Sequence, residues 1–267
     1  MKIGIIGAGN IGSALAGHFQ RVGHTTCVAN SRGPDTLQEV GRKTGARPVA
    51  ISEVARGVDL LVLTIPVKSV PSLPSDLLVD LPATSPIVDT GNYYAFRDGT
   101  IPELQKGMVE SEWTSSALGR PVIKAFNNIA AVSLLNKGLP KGSANRIALP
   151  VAGDDNTKKQ RVMALIDQIG FDALDAGPLS ESWRYQPGTP AYCLDLTILQ
   201  LPTSLEKADR EKAPLNRDKA EKIITRLPAD FPMEELVRVG RLSAGMDTLN
   251  PRSWLAALRL GVAILLR

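Results

Sequence analysis

The opening twelve residues constrain this chain more than any other stretch. In MKIGIIGAGNIG an apolar run, KIGII, leads directly into Gly7-x-Gly9-x-x-Gly12. The segment after it has helical spacing, with Leu15, Phe19 and Val22 on one face and Gly23 as its stop. Strand, glycine turn and amphipathic helix in that order form the context in which G-x-G-x-x-G holds a dinucleotide pyrophosphate. Gly7 permits the tight turn, Gly9 lets the backbone approach the phosphates, and Gly12 allows close packing of helix on strand. The N–H groups at the helix start, over Asn10, Ile11 and Gly12, then face the ligand's charge.

The remaining chain repeats the alternation. Apolar runs recur as TTCVAN, DLLVLTI, SPIVD, RPVIKAF and RIALPVAG, most of them followed by longer segments of helical spacing; Pro34 to Thr44 is one such segment, with Gly45 beyond its end. This pattern predicts an α/β fold, a Rossmann-type doubly wound parallel sheet with helices on both faces. Prolines crowd the stretch from Pro66 to Pro86 and predict turns around a short helix. Near Gly177 the texture becomes more helical. The expected division is a nucleotide-binding domain over 1–177 and a smaller, more helical substrate or oligomerisation domain over 178–267.

Composition excludes several classes. Lys and Arg total 31 against 27 Asp and Glu in 267 residues, without a run of one sign, which argues against a nucleic-acid arm. Cys27 and Cys193 lie far apart, and His18 and His24 are the only imidazoles, so neither a metal site nor a disulfide framework is expected. The start lacks the signature of a secretory signal, which predicts a cytoplasmic protein. The last stretch, SWLAALRLGVAILLR, is apolar but short for a membrane span, which needs about 20 residues, and Arg259 interrupts it. Its apolar face, Trp254 to Leu266, predicts either a homodimer contact or a helix folded back on the chain.

The nucleotide's identity turns on VANSRGPD, residues 28–35. The second strand of such a fold usually ends near a carboxylate that holds a ribose 2′-hydroxyl. Here Ser31 and Arg32 take that place, with no acidic residue before Asp35. A guanidinium attracts the 2′-phosphate that a carboxylate would repel, so Ser31 and Arg32 predict NADP. Further along, Ile65, Pro66 and Val67 follow a strand, where open sheets place ligands, and are expected to wall the cofactor. Asn92 in DTGNYY is positioned either to hydrogen-bond the ligand or to cap a turn. Lys124 and Asn128 have K-x-x-x-N spacing, but Lys124 sits within an apolar strand, so it is expected to be a structural or cofactor-side residue rather than a general acid. Asn127, at that strand's end, is expected to touch the nicotinamide region.

Together IGIIGAGNIGSALA, NSRGP, TIPVKSV, DTGN, VIKAFNN and VAGDDNTKKQRVMALIDQIGFDALDAGPL resemble the F420-dependent NADP oxidoreductase family, from Met1 to about Tyr192. The resemblance implies that Gly9 to Gly12 form the pyrophosphate loop, that Ser31 and Arg32 meet the 2′-phosphate, and that the IPV and KAFN stretches line the nicotinamide pocket. It also implies hydride exchange between NADPH and a small redox-active ring, F420 or flavin-like. Beyond Asp195 the chain has no counterpart in the resemblance. Trp183, Arg184 and Tyr185, in SWRYQPGTPAYC, either stack on the acceptor or pack in the core.

Ring-to-ring hydride transfer needs closeness and orientation and proceeds without a dedicated side-chain acid, so no catalytic residue is assigned. His18, His24 and Cys27 are expected to be surface or packing residues. Two alternatives remain. One is an NADPH-dependent imine or carbonyl reductase of the same fold; the other is a non-catalytic NADP(H) sensor whose C-terminal region docks a partner.

Overall fold

A computed structural model of the chain describes residues 1–228 and 230–265. Strand β1 (Lys2–Ile6) runs through the glycine turn into α1 (Asn10–Arg21), followed by β2 (Thr25–Ala29), α2 (Gln38–Thr44) and β3 (Arg47–Pro48). Then come β4 (Leu60–Leu63) and β5 (Ile87–Asp89), the short helices α3 (Ala95–Asp98) and α4 (Pro102–Gln105), α5 (Glu110–Leu118) and β6 (Ile123–Lys124). The six strands pair in parallel in the order β3-β2-β1-β4-β5-β6. The chain reverses its direction of growth between β1 and β4, as doubly wound sheets do at their ligand crevice.

The central strands β1 and β4 are largely apolar because both faces are covered. Ile3, Ile5, Leu60 and Val62 pack with Leu15 and Phe19 of α1 on one face. Their neighbours Ile6, Leu61 and Leu63 pack with Val49, Val54, Leu77 and Leu81 on the other. One departure concerns the end of α1. Val22 was expected on its apolar face, but it is the C-cap residue and is 37% exposed, because the helix stops one residue earlier. The expected helix from Pro34 begins as a 3-10 turn, Pro34–Leu37, before α2, and Gly45 closes it at φ 79° in the left-handed conformation glycine adopts freely.

After α6 (Ala131–Asn136), the run RIALPVAG forms β7 (Ala148–Val151), α7 (Asn156–Gln168) follows, and β8 (Asp172–Asp175) pairs with β7 in a separate parallel sheet. β7 meets the large sheet through one antiparallel bridge, Lys124 with Ala152. The C-terminal part is helical: α8 (Leu201–Glu206), α9 (Lys212–Ile224), α10 (Met233–Ser243) and α11 (Pro251–Leu265). α11 folds back on α10, burying Ser253 and Ala256, while Trp254, Leu255, Leu258, Val262 and Leu265 stay exposed; Leu266 lies outside the described residues. No helix among the described residues is long and apolar enough to cross a membrane.

Candidate functional site

The glycine turn is built as its spacing predicts. Gly7 has φ 105°, and its carbonyl accepts a 2.8 Å hydrogen bond from the Thr64 hydroxyl after β4. A Cβ on Gly12 would stand 2.1 Å from the Gly7 oxygen, so only glycine lets α1 sit this close to the turn. A Cβ on Gly9 would meet nothing within 4 Å, because Gly9 opens toward the cleft. α1 has no side-chain N-cap and no acidic residue in its first turn, so its leading N–H groups are available to an anion.

A cleft of about 810 Å³ runs from this turn along the carboxyl ends of the strands. Gly9, Asn10 and Ile11 line one end; Ile65 and Pro66 follow at β4, Asn92 at β5 and Asn127 at β6. Seven of the sequence-predicted residues therefore share one crevice. The others lie around it. Gly7 and Gly12 form the turn's rear. Val67 is buried against Tyr93, Ile101 and Leu104, so its side chain is directed away from the cleft. Ser31 and Arg32 sit exposed beyond β2, on the edge that carries the turn: Ala29 pairs with Ile6, and the Ala29 carbonyl accepts from the Gly7 N–H at 2.8 Å. The Arg32 backbone N–H donates to Asn30 Oδ1 at 2.9 Å, and its guanidinium forms no hydrogen bond or ion pair with the described residues.

Lys124 lies beneath the cleft rather than on its lining. Its side chain is 0% exposed, donates to Asp89 Oδ2 at 3.2 Å and also to the Gly91 carbonyl. Asp89 completes the cluster by accepting from Ser111 Oγ at 2.6 Å and from the Gly91 N–H at 2.8 Å. A buried ammonium needs such pairing, and here it holds the loop after β5 that presents Asn92. Glu110 lies close by; burial, partly offset by Lys124, pushes its carboxyl up to about 7.

Asn92 and Asn127 brace each other. Asn92 Nδ2 donates to the Asn127 carbonyl at 2.9 Å and Asn127 Nδ2 returns a bond to Asn92 Oδ1 at 3.1 Å. Asn127 Oδ1 is buried without a partner. That unspent acceptor in the cleft wall matches an amide N–H of the kind a nicotinamide carboxamide carries. Glycine cradle, free helix start and orphaned amide oxygen all fit a dinucleotide.

Over residues 2–93 the chain matches the family described as NADP oxidoreductase, coenzyme F420-dependent. That match covers about a third of the chain, which over these residues is similar to the family. NADP is the cofactor that goes with it. The match covers the glycine turn, Ser31, Arg32, Ile65, Pro66 and Asn92, and ends before Lys124 and Asn127. Among solved structures, hypothetical protein SMa0349 from Sinorhizobium meliloti is 29% identical at TM-score 0.63, spanning 74% of this chain and 95% of its own. A protein from Arthrobacter sp. FB24, provisionally named an F420-dependent NADP-reductase, is 23% identical at TM-score 0.55 over 68% of this chain and 87% of its own; it shares the fold. Protein YjhV of Escherichia coli (strain K12) is 49% identical over 57 residues, 21% of this chain and 42% of YjhV's own length.

Sequence reasoning missed much of the cleft. Thr90, Gly91, Tyr94, Arg97, Phe126, Tyr192 and Cys193 line it, and Ala220 and Ile224 of α9 with Met233, Leu236 and Val237 of α10 form its far wall. The aromatic stretch near Tyr185 was the available signal, and of its two readings core packing is the one Tyr185 takes. Tyr185 is fully buried with its hydroxyl on the Lys124 carbonyl, and Trp183 stacks under Arg184 and Arg210 outside the cleft. Two cleft residues adopt positive φ without being glycine, Phe126 at 62° and Cys193 at 53°. Strain of this kind collects at functional sites, and one-dimensional patterns carry no trace of it.

Proposed function

We propose that this chain is an NADP(H)-dependent oxidoreductase that exchanges hydride between NADPH and a small redox-active ring, F420 or flavin-like. The observation that carries the reading is the continuous cleft from the glycine turn across the ends of β4, β5 and β6. Bound NADPH supplies the hydride. The chain's residues do the rest: the α1 start and Gly9 receive the pyrophosphate, and Ser31 with Arg32 receives the 2′-phosphate. Ile65 and Pro66 wall the ring, and Asn127 Oδ1 orients its carboxamide. Lys124 positions the Asn92 loop without touching ligand. On this reading residues 1–177 hold the cofactor and 178–267 complete the acceptor side, where aliphatic Ile224, Met233 and Leu236 exclude water from the transfer.

The test is a fluorescence titration of NADPH and NADH, followed by an acceptor screen over F420, flavins, quinones and cyclic imines at the nicotinamide absorbance. Preference for NADPH with acceptor-dependent oxidation is expected. Equal affinity for both nucleotides would sink the cofactor assignment. Tight NADPH binding with no oxidation across the panel would instead mark a nucleotide sensor.

A further inference from the structure

The cleft contains a polar group for which binding of the cofactor's phosphates and carboxamide does not account. Tyr94, just past β5, and Tyr192, in the segment leading to α8, bring their hydroxyl oxygens to 2.8 Å across the crevice. Asn92 Nδ2 also donates to the Tyr192 oxygen at 3.4 Å. Two hydroxyls carry two protons, and the bond between them uses one. Whichever oxygen donates, one O–H remains; with Tyr94 as the donor it is the Tyr192 O–H, whose other neighbour is the Cys193 thiol, a weak acceptor. Burial keeps these groups neutral: Tyr94 is pushed up to about 12, Tyr192 well above its ordinary value, and the Cys193 thiol up to about 12.

Position separates this O–H from the cofactor's phosphates. The glycine turn lies at β1, whereas Asn92 and Asn127 lie at β5 and β6, so the hydroxyl pair stands at the far end of the crevice. The two left-handed residues of the cleft also flank this cluster: Phe126 directly precedes Asn127, and Cys193 directly follows Tyr192. The Cys193 N–H donates to the Asn128 carbonyl at 2.8 Å, and Arg241 donates to the Leu194 carbonyl at 2.8 Å, so the segment carrying Tyr192 is pinned from two sides.

We propose that the Tyr94–Tyr192 pair is the hydrogen-bond donor that seats the hydride acceptor, which makes the acceptor a conjugated C=O or C=N compound. The inference rests on the reading of the cleft as an NADPH-dependent reductase site. In the reaction the C–H bond at the reduced nicotinamide breaks and its electron pair bonds the hydrogen to the electrophilic atom of the acceptor's conjugated system, carbon in a deazaflavin or imine, nitrogen in a flavin and oxygen in a quinone, so the nicotinamide is oxidised and the acceptor reduced. Charge then develops on the acceptor's oxygen or nitrogen, a stronger hydrogen-bond acceptor for the Tyr192 O–H than the thiol it displaces. A proton from Tyr192 completes the product as Tyr94 passes on its own and regains one from water.

Three measurements on wild type, Tyr192→Phe and Tyr94→Phe test this: NADPH titration, equilibrium dialysis of menadione against the protein–NADP⁺ complex, and steady-state oxidation of NADPH by menadione, FMN and 3,4-dihydroisoquinoline. Tyr192→Phe is expected to keep NADPH affinity within about twofold while weakening menadione at least about fivefold, the loss of one hydrogen bond. It should lower kcat/KM by roughly a hundredfold, as removal of an oxyanion donor does. Tyr94→Phe, with a hydroxyl still present, should lose about tenfold. Wild-type menadione binding and turnover in Tyr192→Phe overturns the proposal. So does weakened NADPH with unchanged menadione, which assigns the pair to the cofactor, and so does a wild type that binds NADPH yet reduces none of the three compounds. A wild type that fails to bind NADPH overturns the functional reading beneath it. If Tyr192→Phe melts well below wild type, the dialysis and turnover of Tyr94→Phe decide.

Discussion

At the scale of single residues, position 32 bears most directly on the cofactor. Its guanidinium is exposed and uncommitted beside the glycine turn, and a charge-assisted hydrogen bond to phosphate contributes about 1.5–3 kcal/mol. Arg32→Glu is therefore expected to weaken NADPH by roughly 10- to 100-fold while leaving NADH within a few fold, which paired titrations would show; equal losses for both would assign Arg32 to the turn alone. Gly12 acts through sterics. With an added Cβ only 2.1 Å from the Gly7 oxygen, Gly12→Ala must lift α1 off its strand. The expected cost is about 1–3 kcal/mol with weakened NADPH binding, read by denaturant melts and titration. Unchanged stability and binding would mean that the turn relaxes freely.

At the scale of elements, α10 couples the C-terminal helices to the cleft. Arg241 grips Asp247 through two bonds, Nε to Oδ2 at 2.9 Å and Nη2 to Oδ1 at 3.1 Å, and also donates to the Leu194 and Asp195 carbonyls at 2.8 and 3.2 Å. The fork geometry lets one side chain tie α10, the turn before α11 and the Tyr192 segment together. Arg241→Met would leave Asp247 and those carbonyls unpaired, at an expected cost of about 3 kcal/mol. Limited proteolysis should then cut near residue 195 faster than in wild type. Cleavage at an unchanged rate would show that the apolar contacts of α10 hold the segment without the ion pair.

At the scale of the whole molecule, pH acts through Glu110. Its carboxyl is pushed from an ordinary 4.5 up to about 7, chiefly by burial. Between those values the folded chain binds a proton that the unfolded chain has released, so Glu110's contribution to stability is greatest below 4.5 and falls as pH rises toward 7. The slope is on the order of 1 kcal/mol per pH unit across that window. Urea midpoints of wild type should decline from pH 5 to 7 relative to Glu110→Gln, whose amide does not titrate there. Parallel profiles for the two proteins would show that Glu110 ionises without penalty.

The glycine turn, the parallel α/β sheet and the absence of a carboxylate at positions 31 and 32 were legible in the chain because each depends on neighbours in sequence: a tight turn, an apolar period, a charge at a set distance from a strand. The separate β7–β8 sheet was not, since an apolar run does not state which strand it joins. Asn127 stood out only as a strand end, and Tyr94 and Tyr192 not at all; their hydroxyls meet across 98 residues of chain. Lys124 was legible as a strand residue, but its partner Asp89 lies 35 residues away, and only the packing of β5 against β6 turned its charge inward. Local sterics and periodicity thus wrote the glycine-turn side of the cleft into the sequence. The far side of the cleft, at β5, β6 and the C-terminal helices, was decided by tertiary structure, because it is assembled from strand ends and helices that become neighbours only when the sheet closes its core.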